Sequence, residues 1–326
     1  MKHSDGVGED IMGAKDLITK VPVPVCGLSL GLISLDIFLS ANYEFYTFSI
    51  FALLSFIIAA LFTIRIFVDR RGIIKDIENP AVFGVLPTYT MTLMLLSAFV
   101  KDTAGGIAGD ISMVVWSSAI VMSFVIMFFF VRKFFLNFSI EKVFPSWIII
   151  FVGYVVASVT SPVFGMEHIG QMIFWSGFIG YFALLPMIMY RILKLGIPES
   201  LVPNVAILAA PVNLCVVGCL SAYGDAPPEI ALMILAVLGA ISYVAVIGYL
   251  PVMLNRKFYP SFSGLTFPLV ISAVSFYRLG EYYGLASNDI FAALQQTTVL
   301  IAIVIVAYVF IRYVMFFNRT ARSKGA

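Results

Sequence analysis

Charge is what this sequence has least of. Only 12% of its 326 residues are Asp, Glu, Lys or Arg, about half the share of a soluble domain. A protein of this size needs more ionic surface than that to stay in water, so a soluble enzyme is excluded. Twenty basic and 18 acidic residues leave a net charge of +2, too even a balance for the basic face that nucleic acid requires. Histidine and cysteine are scarce too. His3 and His168 are far apart, and Cys26, Cys215 and Cys219 form no CxxC pair, so no metal, redox centre or cofactor is expected. No HExxH motif and no paired carboxylates occur within an apolar run. An intramembrane enzyme therefore lacks a convergent set of reacting groups, and a purely structural membrane protein would need none.

What is abundant is apolar sequence. Hydrophobic residues make up 61% of the chain and the mean hydropathy is +1.02. A helix crossing the hydrocarbon needs about 20 mainly apolar residues. Ten such windows exist, near 23–39, 47–68, 83–100, 112–131, 144–160, 169–192, 205–223, 230–254, 263–282 and 290–316. Helices are required because lipid offers no partner to an open backbone, and the alternation of a β-barrel strand is missing. The expectation is an all-α polytopic membrane protein, with a ten-helix domain over 22–316. Residues 1–21 are too polar for a signal peptide. They are expected to form a cytoplasmic lead-in with a short surface helix over 10–20, and 317–326 a short cytoplasmic tail.

Basic residues set the direction. Eighteen of the 20 fall at the N-terminus, in alternate connections and at the C-terminus, while Lys101 and Arg278 alone fall on the other side. Both termini are thus expected in the cytoplasm, in a cell inner (plasma) membrane.

Proline adds a period. Pro22, Pro80, Pro145, Pro203 and Pro260 open the odd-numbered spans at separations of 58, 65, 58 and 57 residues, and such a repeat sets the architecture. Each unit is a hairpin of two helices. Pro87, Pro211 and Pro268 follow seven or eight residues later in three units, and Gly153 stands at that offset in the third. A proline inside a helix removes a backbone bond, which a bilayer tolerates only where protein or water satisfies the freed group. The odd spans also carry the hydroxyl and amide content, including Thr88, Ser158, Asn213, Thr266 and Ser272. Five inner helices around an axis, sheathed by five outer ones, follow from this pattern. Prolines and Gly153 would shape the axis, and the polar residues are candidates to line it.

The ninth span reads Ser263-Gly264-Leu265-Thr266-Phe267-Pro268-Leu269. With the repeat, the run Pro24-Val25-Cys26-Gly27-Leu28-Ser29-Leu30-Gly31-Leu32, and Ala209-Ala210-Pro211-Val212 leading to Ser221-Ala222-Tyr223, it resembles the tellurite-resistance/dicarboxylate transporter family. That family includes bacterial TehA and the slow anion channels of plant guard cells, and the likeness spans 22–316. The resemblance implies ten helices as five hairpins with quasi-fivefold symmetry about a central pore, and a homotrimer with one pore per subunit. It also assigns Phe267 the role of a gate whose ring blocks the pore. On its own Phe267 is one of 30 phenylalanines, any of which packs helices or meets lipid. At 1.5 Å per residue it lies roughly 10–15 Å into the membrane from the cytoplasmic side.

No lysine or arginine occupies the middle of an odd span, where a fixed charge would mark a tight ion site. A pore for small inorganic anions would then discriminate by dehydration and favour large, weakly hydrated ions. The cytoplasmic basic excess either concentrates anions at one mouth or serves topology alone. The alternative is a carrier for an oxyanion such as tellurite or sulfite, or for a C4-dicarboxylate, with Asp36 or Glu281 coupling protons. Their places near span ends favour solvated interface residues instead. Gly177 and Gly180 could serve contacts between subunits or within one.

Overall fold

The computed structural model of the protein describes residues 13, 15–43 and 50–322. Ten membrane-length helices account for most of them: α1 (Val25–Asn42), α2 (Ile50–Val68), α3 (Pro80–Ala104), α4 (Gly106–Phe135), α5 (Trp147–Phe164), α6 (Glu167–Leu195), α7 (Glu199–Tyr223), α8 (Glu229–Leu254), α9 (Pro260–Tyr282) and α10 (Asp289–Ala321). No strand occurs among the described residues. Several even helices outrun their apolar windows, α10 by a turn into polar sequence at one end, because an established helix adds one backbone bond for each further residue. Of the expected surface helix over 10–20, residues 13 and 15–19 are helical, Lys20 is a turn, and residues 10–12 and 14 lie outside the described residues.

Burial separates the helices into two sets. Between 72 and 83% of an 18-residue apolar stretch of each odd helix is buried, against 22 to 33% for each even one. The odd helices touch in sequence, α1 on α3, α3 on α5, α5 on α7 and α7 on α9, and α9 returns to α1. Each even helix packs on its own odd partner and also on the following odd helix, with α10 closing on α1. An inner ring and an outer sheath result, and an even number of crossings leaves both described ends on one face. That face carries the basic connections and is called the basic face below.

The inner helices change pitch where proline or glycine interrupts them. In α3 the segment Pro80–Val85 gives way to Pro87–Ala104. In α5 a 3₁₀ turn at Gly153–Val155 separates two short α segments. In α7 an eleven-residue 3₁₀ stretch, Glu199–Ala209, precedes Ala210–Tyr223, and in α9 Pro260–Leu265 does the same before Thr266–Tyr282. Runs of 3₁₀ helix rarely exceed four residues. In α7 Pro203 lies within the long run and withholds an N–H that an α-helix would use there.

One polar clasp ties each hairpin. Ser29 and Ser55 hydroxyls lie 2.9 Å apart between α1 and α2, and Thr90 and Ser123 hydroxyls 2.6 Å apart between α3 and α4. The Ser158 hydroxyl donates to the Gly170 carbonyl at 2.7 Å, Asn213 Nδ2 to the Gly239 carbonyl at 3.5 Å, and Gln295 Nε2 to the Phe276 carbonyl at 3.2 Å. Between membrane helices such bonds contribute about 0.6–2 kcal/mol each. Gly177 and Gly180 pack within the subunit. A Cβ on Gly180 would fall 2.8 Å from the Phe151 carbonyl oxygen, and one on Gly177 would strike the Val155 side chain.

Asp36 departs from its expected place as a solvated interface residue. It is buried, and its Oδ1 accepts the Ala52 backbone N–H at 3.3 Å. That carboxylate faces the first turn of α2, where backbone N–H groups have no intrahelical partner and the helix dipole favours negative charge. The pairing of α1 with α2, rather than depth along α1, decides its environment.

Candidate functional site

Two cavities lie inside the inner ring, and all five odd helices contribute to each. The one nearer the basic face is narrow, with about 40 Å³ open to a water-sized sphere. Gly27 of α1, Thr88 and Met91 of α3, Gly153 of α5, Pro211 of α7, and Ser263, Gly264, Phe267 and Pro268 of α9 are in its lining. The second opens toward the opposite face, with about 210 Å³, and is bounded by Ser34, Phe38, Leu95, Val156, Val217, Ile271 and Arg278 among others. Two side chains belong to both linings: Phe267 and Leu214. The cavities therefore meet at these two residues.

Local structure explains the aim of the Phe267 ring. The neighbouring Thr266 turns toward α1, where its hydroxyl lies 2.9 Å from the Gly27 carbonyl and 2.7 Å from that of Ser263. Gly31 makes room, since a Cβ there would fall 2.6 Å from the Thr266 Cβ. With 3.6 residues per turn, a threonine pinned against α1 sends the next side chain about 100° around the helix. Phe267 is buried there, on the axis side, with Pro268 beside it in the lining.

The other sequence candidates divide. Gly153, Pro211, Pro268 and Thr88 line the narrow cavity with Phe267, and Pro87 sits next to Thr88 at the pitch change of α3. Ser158, Asn213, Thr266 and Ser272 line neither cavity. They hold helices together: Asn213 Nδ2 donates to Ser272 Oγ at 3.0 Å across α7 and α9, and Ser272 donates to the Pro268 carbonyl at 2.7 Å.

The narrow lining is almost without polar groups. Thr88 and Ser263 are its two hydroxyl residues, and both hydrogens are spent on backbone, Thr88 on the Val85 carbonyl at 2.7 Å and Ser263 on that of Pro260 at 3.1 Å. Among the described residues no charged side chain is in this lining. An ion there loses water without gaining a fixed counter-charge. Among the described residues no three His, Cys, Asp or Glu side chains converge to hold a metal.

Two participants escaped the sequence. Leu214 carries no mark, being one more leucine in an apolar helix. Arg278 carried one, as one of two basic residues away from the basic face, but counting charges for topology hid its place in the wider cavity. A third pattern also went unread: Gly27-Leu28-Ser29-Leu30-Gly31 has the Gly-x-Ser-x-Gly spacing of a nucleophile elbow. That motif needs a strand-to-helix turn, and Ser29 instead lies within α1, bonded to Ser55.

No curated protein matches the chain. A family does. The family described as voltage-dependent anion channel matches residues 20–314, which spans both cavities, the first nine helices and most of α10. The chain belongs to the voltage-dependent anion channel family, whose members are membrane channels and transporters.

Proposed function

We propose that the protein is an anion channel whose pathway follows the axis of the inner ring and is closed in this conformation by Phe267. The position of Phe267 in both cavity linings carries the reading, supported by the cyclic packing of the five odd helices; the quasi-fivefold order about a pore rests on the family resemblance. An apolar constriction between wetter chambers gates by excluding water. The substrates are small monovalent anions. Because the narrow cavity offers no fixed positive charge, large and weakly hydrated ions pass most readily, and weak binding lets them leave.

Orientation follows from the basic residues, which place the basic face in the cytoplasm of a cell whose plasma membrane holds the protein. A homotrimer with one pathway per subunit rests on the family resemblance. The test is an anion-replacement series on Phe267→Ala in oocytes. Ohmic current that rises from chloride to nitrate to iodide supports the channel. Saturable, proton-dependent uptake of a dicarboxylate or of tellurite, unaffected by Phe267→Ala, identifies a carrier instead.

A further inference from the structure

We infer that the wider cavity holds an anion-binding site made by Arg278, Ser34 and Ser221, a loading site on the far side of Phe267 from the basic face. The inference rests on the anion-channel reading and adds to it the residues that receive the ion.

Among the described residues Arg278 is the only positive side chain in the lining of either axial cavity. Its guanidinium presents five N–H donors and no acceptor. The nearest carboxylate, Glu281 Oε2, lies 3.9 Å from Nε, too far for a hydrogen bond. Both side chains of that pair are about half exposed, so the pairing is weak and most of the fork stays free.

The hydroxyls point the same way. Thr160 has donated its hydrogen to the Val156 carbonyl, and the Asn42 amide donates to the Phe38 carbonyl. Ser34 on α1 and Ser221 on α7 line the same cavity and form no hydrogen bond among the described residues. Ser34 is buried, at 8% exposure, and its hydroxyl is not one of the polar atoms sealed off from space. Three donors from α1, α7 and α9 thus border one cavity, and no carboxylate is in its lining among the described residues. A donor-only set in a partly desolvated space suits a small monovalent anion.

The surroundings make Arg278 decisive. Asp225 and Glu281 line a neighbouring cavity together with it, so the rim beside the site is acidic. An anion entering there passes these two carboxylates, and the guanidinium is the group that offsets them.

Two arms test this. In the Phe267→Ala background, Arg278→Gln lowers anion influx from the Arg278 face about threefold at about 20 mM salt and barely at about 1 M, where the Debye length shrinks to ~3 Å. Glu281→Gln, which frees the guanidinium, raises the same flux, whereas a merely structural pair would lose flux in both variants. The second arm needs no gate. Wild-type crystals soaked in bromide show an anomalous peak within hydrogen-bond reach of Arg278, Ser34 and Ser221, and Arg278→Gln crystals do not. Absence of that peak in wild type overturns the site, as does its survival in the variant. A peak without any salt-dependent flux effect in a conducting Phe267→Ala background reduces it to an adventitious ion only.

Discussion

The Thr266 hydroxyl shares its one hydrogen between the carbonyl of Gly27, 2.9 Å away on α1, and that of Ser263, 2.7 Å away on its own helix. The bond to Gly27 joins the first inner helix to the last, one residue from the ring that separates the two cavities. It closes the inner circle and fixes the rotation of α9 at Phe267. Thr266→Val keeps the shape and removes the bond. Loss of one interhelical hydrogen bond costs about 1 kcal/mol in a membrane protein, so thermal unfolding in detergent shifts down by a few degrees. If the bond positions the ring, the variant also leaks anions through otherwise wild-type protein. A lower unfolding temperature with no leak limits Thr266 to stability.

Leu214 shares the boundary with Phe267 but is smaller and comes from α7. Leu214→Ala alone is expected to leave the pathway closed, because the phenylalanine ring still fills the axis. In the Phe267→Ala background the same change widens the constriction and increases single-channel conductance. Equal conductance with and without Leu214 would place it off the path.

Asp36 separates the channel reading from a proton-coupled carrier. Its carboxylate meets the start of α2 and is not in the lining of either cavity. Asp36→Asn keeps an oxygen to accept the Ala52 N–H, so anion current in the Phe267→Ala background stays within about twofold and remains pH-insensitive. Current or uptake abolished by Asp36→Asn, with the protein at the membrane, supports proton coupling.

Arg65 anchors the basic face. Buried at the end of α2, it reaches Asp76 at 2.6 Å and Asp69 at 3.6 Å, and donates to the Val21 carbonyl just before α1. Arg65→Met strips two carboxylates and a carbonyl of their partner. Removing one member of a buried pair costs about 3–5 kcal/mol, less here because Asp76 is over a third exposed. About 1–3 kcal/mol is expected from thermal unfolding, with Asp76→Asn milder.

The bilayer makes much of this fold legible. Length in apolar residues translates directly into spans, and the proline period separates inner from outer helices before any packing is known. The direction of an individual polar side chain is not legible in the same way. Ser158, Asn213, Thr266 and Ser272 lie on inner helices, yet an inner helix has flanks as well as an axial face, and hydropathy is equal on both. The flanks are where backbone carbonyls and other hydroxyls wait as partners, and these four side chains turn there. Asp36 was obscured for a related reason: its surroundings come from α2, not from its depth along α1. Leu214 could not be told from other leucines, because what singles it out is a position shared by two cavities.

The central claim is that Phe267 closes the axis. The direct measurement is whole-cell nitrate current from oocytes expressing wild type or Phe267→Ala at matched surface levels. The account predicts little or no current from wild type and a large, nitrate-over-chloride-selective current from the alanine variant. Equal currents from the two, with both proteins at the surface, would contradict it.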